Sequence, residues 1–122
     1  IRLGSKTLMF FDKLFKKKPN EKAIRKFWAE FESRADLFAD ILQKEEEDGE
    51  DFLWMEGMVR KSLKLCVLDS SVGFAFHFER NRDPVRLVFS TKGDDYLRAV
   101  GEKLTEYYPQ SLSDKIQFAV EE

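Results

Sequence analysis

The side chains of this protein that are best suited to chemistry near neutral pH occur singly. The 122-residue sequence contains one histidine, His77, and one cysteine, Cys66. Histidine transfers protons near neutral pH, but a catalytic histidine needs a nucleophile and an orienting acid beside it. The sequence has no G-x-S-x-G turn, and one histidine cannot supply the H-E-x-x-H zinc motif. We therefore expect no catalytic residue, no bound metal and no cofactor, with a small enzyme built around His77 as an alternative.

The cysteine fits a structural role better than a chemical one. Cys66 falls on the apolar side of a predicted helix, which is typical of an inert, buried thiol. A single cysteine cannot form an internal disulfide, and its presence agrees with a reducing compartment. We expect a cytoplasmic location.

A run of acidic residues from Glu45 to Asp51, interrupted only by Gly49, invites comparison with a calcium-binding loop. An EF-hand loop with Gly49 at its sixth position would begin at Lys44 and end at Met55. Both of these positions must supply oxygen ligands, and the last should be Glu. Since Lys and Met supply none, the run is predicted to be a solvated acidic loop without calcium.

The segment Gly73-Phe74-Ala75-Phe76 resembles part of the RNP1 motif, in which aromatic side chains on a strand stack on RNA bases. The rest of the motif is missing. Val72 stands where the motif has a basic residue, His77 where it has an apolar core residue, and Glu79 where it has an aromatic one. The phenylalanines of this strand are then needed for the core, and we expect no binding of nucleic acid.

Charge is distributed unevenly along the chain, despite a net charge of −2. Residues 1–26 carry nine basic and two acidic side chains, whereas residues 27–56 carry two basic and eleven acidic ones. Such blocks are typical of two faces of one fold that attract each other. We interpret residues 1–19 as a basic, partly flexible leader and residues 20–122 as a single domain, the number expected for this length.

The leader contains a string of the form M-F-x-x-L-F-K-K-K, which begins at Met9. We expect Met9 to be the natural first residue and residues 1–8 to come from an upstream reading frame or from cloning. Apolar residues at helical spacing before three lysines are typical of a segment that lies on an anionic membrane. The predicted membrane-contact residues are Phe10, Phe11, Leu14, Phe15, Lys16, Lys17 and Lys18. The alternatives are docking on the acidic part of the same domain and a disordered tail.

Apolar residues at steps of three and four predict a long amphipathic helix over residues 21–44. Asn20 precedes it as a helix cap. The predicted buried face consists of Ile24, Phe27, Trp28, Phe31, Ala35, Phe38, Ile41 and Leu42. The opposite face is charged, so this helix is expected to cover the core.

A second helix is predicted to begin near Asp51, after the acidic loop. Trp54 and Met58 broaden its predicted buried face. The end of this helix stays open, because Leu63, Leu65 and Val67 alternate as residues of a strand do.

Alternation of apolar and polar residues predicts three strands in the second half of the chain. Residues 72–79 and 85–90 form two strands joined by a turn of five residues, which indicates an antiparallel hairpin. A helix follows Asp94 and is ended by Pro109, and residues 116–120 form a closing strand. The predicted order of elements is α-α-β-β-α-β.

The composition agrees with a folded α+β domain. Aromatic residues make up 14% of the chain and hydrophobic residues 43%, which excludes a disordered protein. No apolar run approaches the length of a transmembrane helix. We predict a small, mainly antiparallel sheet that is packed on helices at one face.

One family resemblance covers residues 21–121. An amphipathic helix that opens with Phe27-Trp28-x-x-Phe31 is followed by an acidic linker, a second helix and a hairpin. A helix that ends at Tyr108-Pro109 and a short strand complete the chain. This order resembles a group of small bacterial α+β domains that open with an F-W-x-x-F helix. The resemblance implies a fold class and transfers no functional site.

The predicted sheet presents a polar face away from the helices. His77, Glu79, Arg86 and Gln117 lie on this face, which we expect to be partly open. It is the predicted surface for a protein partner or for self-association. With no catalytic constellation in the sequence, we expect a non-catalytic protein-binding or regulatory module. A peripheral membrane protein that uses the basic leader is another alternative.

Overall fold

The computed structural model describes residues 18–122 of the chain. Its elements, in chain order, are α1 (Glu21–Ser33), α2 (Ala35–Lys44), α3 (Glu50–Cys66), β1 (Ala75–Glu79), β2 (Val85–Ser90), α4 (Asp95–Glu106), a short 3-10 turn (Gln110–Leu112) and β3 (Ile116–Glu121). This confirms the predicted α+β class, with one helix more than expected. Within the described range, no helix is both long enough and apolar enough to cross a membrane.

The predicted single helix over residues 21–44 is wrong in one respect, since the chain forms two helices that meet at Arg34. The backbone of Arg34 leaves the helical region, with φ −115° and ψ 11°. Its amide donates to the carbonyl of Phe31, three residues back, and its own carbonyl accepts from Phe38 at the start of α2. No Gly or Pro lies at the break. We therefore attribute the break to packing, because the two halves of the predicted helix contact different neighbours.

Those neighbours are different for α1 and α2. In α1, Trp28 packs edge-on against Phe118 of β3, with ring centroids 5.2 Å apart. In α2, Phe38 faces Trp54 of α3, and the guanidinium of Arg80 donates two hydrogen bonds to the carbonyl oxygen of Leu42. Carbonyls in the last turn of a helix have no intrahelical donor, so this arginine satisfies the end of α2.

The acidic loop supplies a cap for the first turn of α3. Oε1 of Glu45 accepts hydrogen bonds from the amides of Asp51 and Phe52, at 3.2 and 3.3 Å. These amides lie in the first turn, where helix N–H groups lack partners and a negative charge is favourable. The helix then continues to Cys66, so Leu63 and Leu65 are helical and Val67 is the residue that follows the helix.

The three strands form one mixed sheet in the order β1-β2-β3. The hairpin of β1 and β2 is antiparallel, as predicted, whereas β3 pairs with β2 in parallel. The expectation of a mainly antiparallel sheet is therefore only half right. The reason is α4, which carries the chain back along the sheet, because neighbouring parallel strands require such a crossover.

The helices cover one face of this sheet, which we call the inner face. In the pairing register, Phe78, Leu87 and Phe118 form one row of this face. Phe52 of α3 packs on Phe78, and Trp28 of α1 packs on Phe118. The core lies between this face and the helices. It contains all eight residues predicted to be buried on the helix over residues 21–44, and it also contains Phe78, Leu87 and Phe89 of the hairpin.

Candidate functional site

The predicted partner residues do come together, on the face of the sheet that points away from the helices. We call this the outer sheet face. Glu79, Arg86 and Gln117 occupy one row across β1, β2 and β3. His77 lies in the neighbouring row, opposite Val88. The period-two alternation of the strands correctly assigned all of these side chains to one face.

The charged groups of the outer sheet face bind one another. Arg86 donates from Nε to Oε1 of Glu79, and this hydrogen bond holds the pKa of the Glu79 carboxyl below its ordinary value. Gln117 accepts a hydrogen bond from Arg82 at 2.8 Å and donates one to the carbonyl of Ser113 at 3.1 Å. A partner that used these groups would first have to separate them from each other.

His77 lies at the edge of this arrangement, with half of its side chain exposed. Its Nδ1 is 3.8 Å from a carboxylate oxygen of Glu121, which is equally exposed. An open depression beside His77 is lined by carboxylate, guanidinium, amide and phenyl groups, contributed by Glu47, Phe78, Glu79, Arg80, Asn81, Arg82 and Arg86. Nucleophilic catalysis by such a histidine needs a hydroxyl or thiol within hydrogen-bond reach, and no lining residue carries one.

Cys66 lies in the core and lacks the properties of a reactive thiol. Its side chain is fully buried on α3, and its Sγ approaches only the carbonyl of Ser62, at 3.7 Å. Burial raises the pKa of this thiol to about 12. A nucleophilic cysteine needs a lowered pKa and access to solvent, so the geometry gives Cys66 a packing role.

Two other predictions from the sequence concern a metal site and a segment that contacts a membrane. No cluster of His, Cys, Asp or Glu with the spacing of a metal site occurs among residues 18–122. The predicted membrane-contact residues Phe10, Phe11, Leu14, Phe15, Lys16 and Lys17 lie outside the described residues, whereas Lys18 is described and exposed just before α1. The hypothesis of membrane contact therefore stays a prediction.

A narrow cleft that opens to solvent lies among α1, α2 and α3 and has a volume of about 20 Å³. Phe27, Phe38 and Met58 contribute to its lining. This is room for about one water molecule, whereas pockets for organic ligands measure several hundred Å³. The helical layer is therefore closed to a small molecule at this point.

A further exposed surface lies on α3 and includes Trp54 and Met58, which were predicted to be buried. Trp54, Met58, Lys61 and Leu65 lie on the solvent side of α3, and we call this row the α3 stripe. Trp54 is 48% exposed and Leu65 is 46% exposed, while Met58 is half-buried. The expectation that Trp54 belongs to the buried face is therefore wrong.

The geometry of α3 explains this exposure. The buried residues Phe52, Met55, Val59, Leu63 and Cys66 follow one line along the helix. At 100° per residue, the α3 stripe lies about 130° around the helix from that line. The residues of the stripe recur at i, i+4, i+7 and i+11. This helical spacing is visible in the sequence and indicates a second apolar face on α3. The sequence alone did not show that no other helix or strand among residues 18–122 covers it.

No protein-family model, curated protein or solved structure matches this chain. Function must therefore be argued from the geometry of its own surfaces. Those surfaces are a polar sheet face whose charged groups pair with one another, and a helix face with an exposed tryptophan.

Proposed function

We propose that this protein is a non-catalytic protein-binding module of the bacterial cytoplasm, and that it binds its partner through the α3 stripe. The observation that carries the proposal is the half-exposed indole of Trp54 in a row with Met58 and Leu65. Tryptophan and methionine are enriched in protein interfaces, and tryptophan is among the residues that contribute most to binding energy.

The stripe is also placed on a rigid support. The residues behind it on α3 are fully or almost fully buried, among them Met55, Val59 and Leu63. One edge of the stripe is held by the contact of Trp54 with Phe38, whose ring centroid is 6.5 Å away. A helix that is fixed in this way presents its exposed side chains in a single arrangement, which lowers the entropy lost on binding.

The outer sheet face is the weaker candidate for the binding surface. Glu79 and Arg86 already satisfy each other there, and Gln117 is held by two hydrogen bonds. Separating such groups costs free energy that a partner must return. The α3 stripe has no comparable cost, because covering an exposed apolar side chain is favourable by itself.

Site-specific photo-crosslinking tests the proposal. Trp54 is replaced by p-benzoyl-phenylalanine in the full chain, which is expressed in its natural host and irradiated. We expect a discrete covalent adduct with a protein at this position. Adding Leu65→Glu should remove the adduct, because a charge then lies within the proposed apolar contact.

The matched control places the same photo-reactive residue at Val72. This residue is also an exposed apolar side chain, but it lies in the loop before β1. Adducts at position 54 that are absent at position 72 support the proposal. Identical adducts at both positions, or none at position 54, contradict it.

A further inference from the structure

The geometry points to a second copy of this chain as the partner of the α3 stripe, bound by antiparallel pairing of the two α3 helices about a two-fold axis beside Gly57. This inference rests on the proposed function, since it names the partner of the same surface. It explains three separate features of α3: the spacing of its exposed apolar residues, the position of its glycine and the distribution of its charges.

The spacing of the α3 stripe is self-complementary. In an antiparallel pair centred between Gly57 and Met58, Trp54 of one copy lies opposite Lys61 of the other. The side chains around this position are Met58 and Leu65, which with Lys61 line a hole of the kind that accepts a knob from a facing helix. Because the axis is two-fold, each tryptophan enters the hole of the other copy.

Gly57 is level with the two-fold axis and lies at one edge of this arrangement. A Cβ atom built on Gly57 meets nothing within 4 Å, so the protein's own packing does not require a glycine here. In an exposed helix interior, glycine costs about 1 kcal/mol relative to alanine. In the proposed pair, Gly57 lies level with the two-fold axis and about 70° around the helix from the middle of the stripe. It therefore flanks the contact, where the missing side chain allows the second backbone to approach closely.

The charges of α3 favour the antiparallel arrangement over the parallel one. Its first turn carries Glu50 and Asp51, and its last turn carries Lys64. Antiparallel pairing brings Glu50 of each copy beside Lys64 of the other, whereas parallel pairing would place like charges together. The opposed helix dipoles add to the same preference, and complementary charges of this kind determine the register of an interface.

The basic leader fits the α3 stripe less well than a second copy does. Residues 1–19 carry six basic side chains and one acidic side chain. Arg60, Lys61 and Lys64 lie on the C-terminal half of α3, and they would repel this segment. A second copy instead brings its own acidic first turn to these lysines.

Sedimentation equilibrium of the purified full chain, over a wide range of concentrations, tests the inference. We expect a reversible dimer with twice the chain mass of 14.4 kDa. Trp54→Ala should weaken the dimer by about thirtyfold or more, as for a central interface residue. The matched control is Leu53→Glu, on the same turn but outside the stripe; Leu53 is 54% exposed, and its variant should dimerise like the wild type.

A charge exchange tests the antiparallel register. Lys64→Glu and Glu50→Lys should each weaken the dimer by about fivefold, the upper range for exposed charge pairs. The double variant should recover most of the wild-type affinity, because the pairing is restored with the signs reversed. If the double variant instead loses as much dimer affinity as the two single variants together, the antiparallel pairing is wrong.

Disulfide trapping gives a second measurement that depends only on geometry. Met58→Cys lies near the proposed axis and should form a disulfide-linked dimer on mild oxidation, whereas Leu53→Cys should not. Cys66 does not interfere, because it is buried. Equal trapping at both positions, or at neither, would overturn the inference.

A chain that stays monomeric at every concentration would also overturn it. If position 54 then crosslinks to a different protein in the natural host, the binding function stands and only the second copy is wrong. If Phe15→Glu instead increases quenching of Trp54 fluorescence by acrylamide in that monomer, the leader is the occupant.

Discussion

The indole Nε1 of Trp28 in α1 donates a hydrogen bond to the carbonyl oxygen of Leu104 in α4, 2.9 Å away. The two residues are 76 positions apart in the chain. The carbonyl belongs to the last turn of α4, where helix carbonyls have no intrahelical donor. One buried side chain thus joins the first helix to the last and satisfies a polar group that would otherwise be unpaired.

Replacing this indole should destabilise the fold. Trp28→Phe keeps a ring in the core but leaves the carbonyl of Leu104 without its donor, at a cost of about 1–3 kcal/mol. Urea unfolding measures the free energy of unfolding directly. The control is Trp54→Phe, which removes an exposed indole and should change stability by no more than about 0.5 kcal/mol when the chain is dilute. Equal effects of the two changes would contradict the role of the hydrogen bond.

Two helical glycines should respond in opposite ways to alanine. At Gly101 of α4, a Cβ atom would lie 2.9 Å from Cγ1 of Val120 in β3, so Gly101→Ala forces the helix away from the sheet. We expect it to lower the free energy of unfolding by about 1 kcal/mol, because overpacking exceeds the gain in helix propensity. Gly57→Ala meets open space in the isolated chain and should raise stability by about 0.5–1 kcal/mol.

Thermal unfolding of the dilute variants checks this pair, since both changes add one methyl group to a helix. Stabilisation by Gly101→Ala would show that Val120 moves aside without cost. In that case, the close approach of α4 to β3 would not require a glycine at position 101.

The thiol of Cys66 should react only when the protein opens. Burial raises its pKa to about 12, from an ordinary value of 9.0. The thiolate fraction near neutral pH is then about a thousandfold lower than for a free thiol. We expect a disulfide reagent such as Ellman's reagent to label Cys66 rapidly in urea and very slowly in buffer. Rapid labelling in buffer would contradict its burial.

The same shift predicts how stability depends on alkaline pH. The unfolded chain loses this proton near the ordinary pKa of the thiol, whereas the folded chain keeps it up to about pH 12. The free energy of unfolding should therefore fall as the pH rises between these two values. A Cys66→Ala variant should show a smaller fall over this interval, measured by denaturant unfolding at several pH values.

Acid should weaken the fold through Glu79. Its folded-state pKa is lowered by the hydrogen bond from Arg86, so its contribution is present above the ordinary value of 4.5 and is lost as the pH falls through the lowered value. Glu79→Gln should reduce the pH dependence on the acid side. Glu102→Gln, at an exposed position of α4, serves as the control and should leave the acid side unchanged. An equal change in both variants would contradict the role of the pair.

Much of the fold was predictable because its signals are local. The periodicity of Phe27, Trp28 and Phe31 correctly identified a buried helix face, and the alternation around Phe78 and Leu87 identified the hairpin. The same alternation placed His77 on the side away from the core. These predictions succeeded because a single element with one apolar side must turn that side inward.

The break at Arg34 and the direction of β3 were not predictable in this way. Nothing at Arg34 prevents a continuous helix, and the break arises because α1 packs towards β3 while α2 packs against α3. The closing strand has the same alternation whether it pairs in parallel or antiparallel. Its direction follows from the path of α4 across the sheet.

The sequence by itself determined where most helices and strands lie, and which side of most of these elements is apolar, because both depend largely on neighbours within a few positions. Only the tertiary structure decided which apolar sides are covered. Trp54 and Phe52 are two residues apart on one helix, yet Phe52 packs on Phe78 of the sheet while Trp54 is half exposed. Burial depends on segments that are distant in the chain, and local spacing carries no information about where those segments lie.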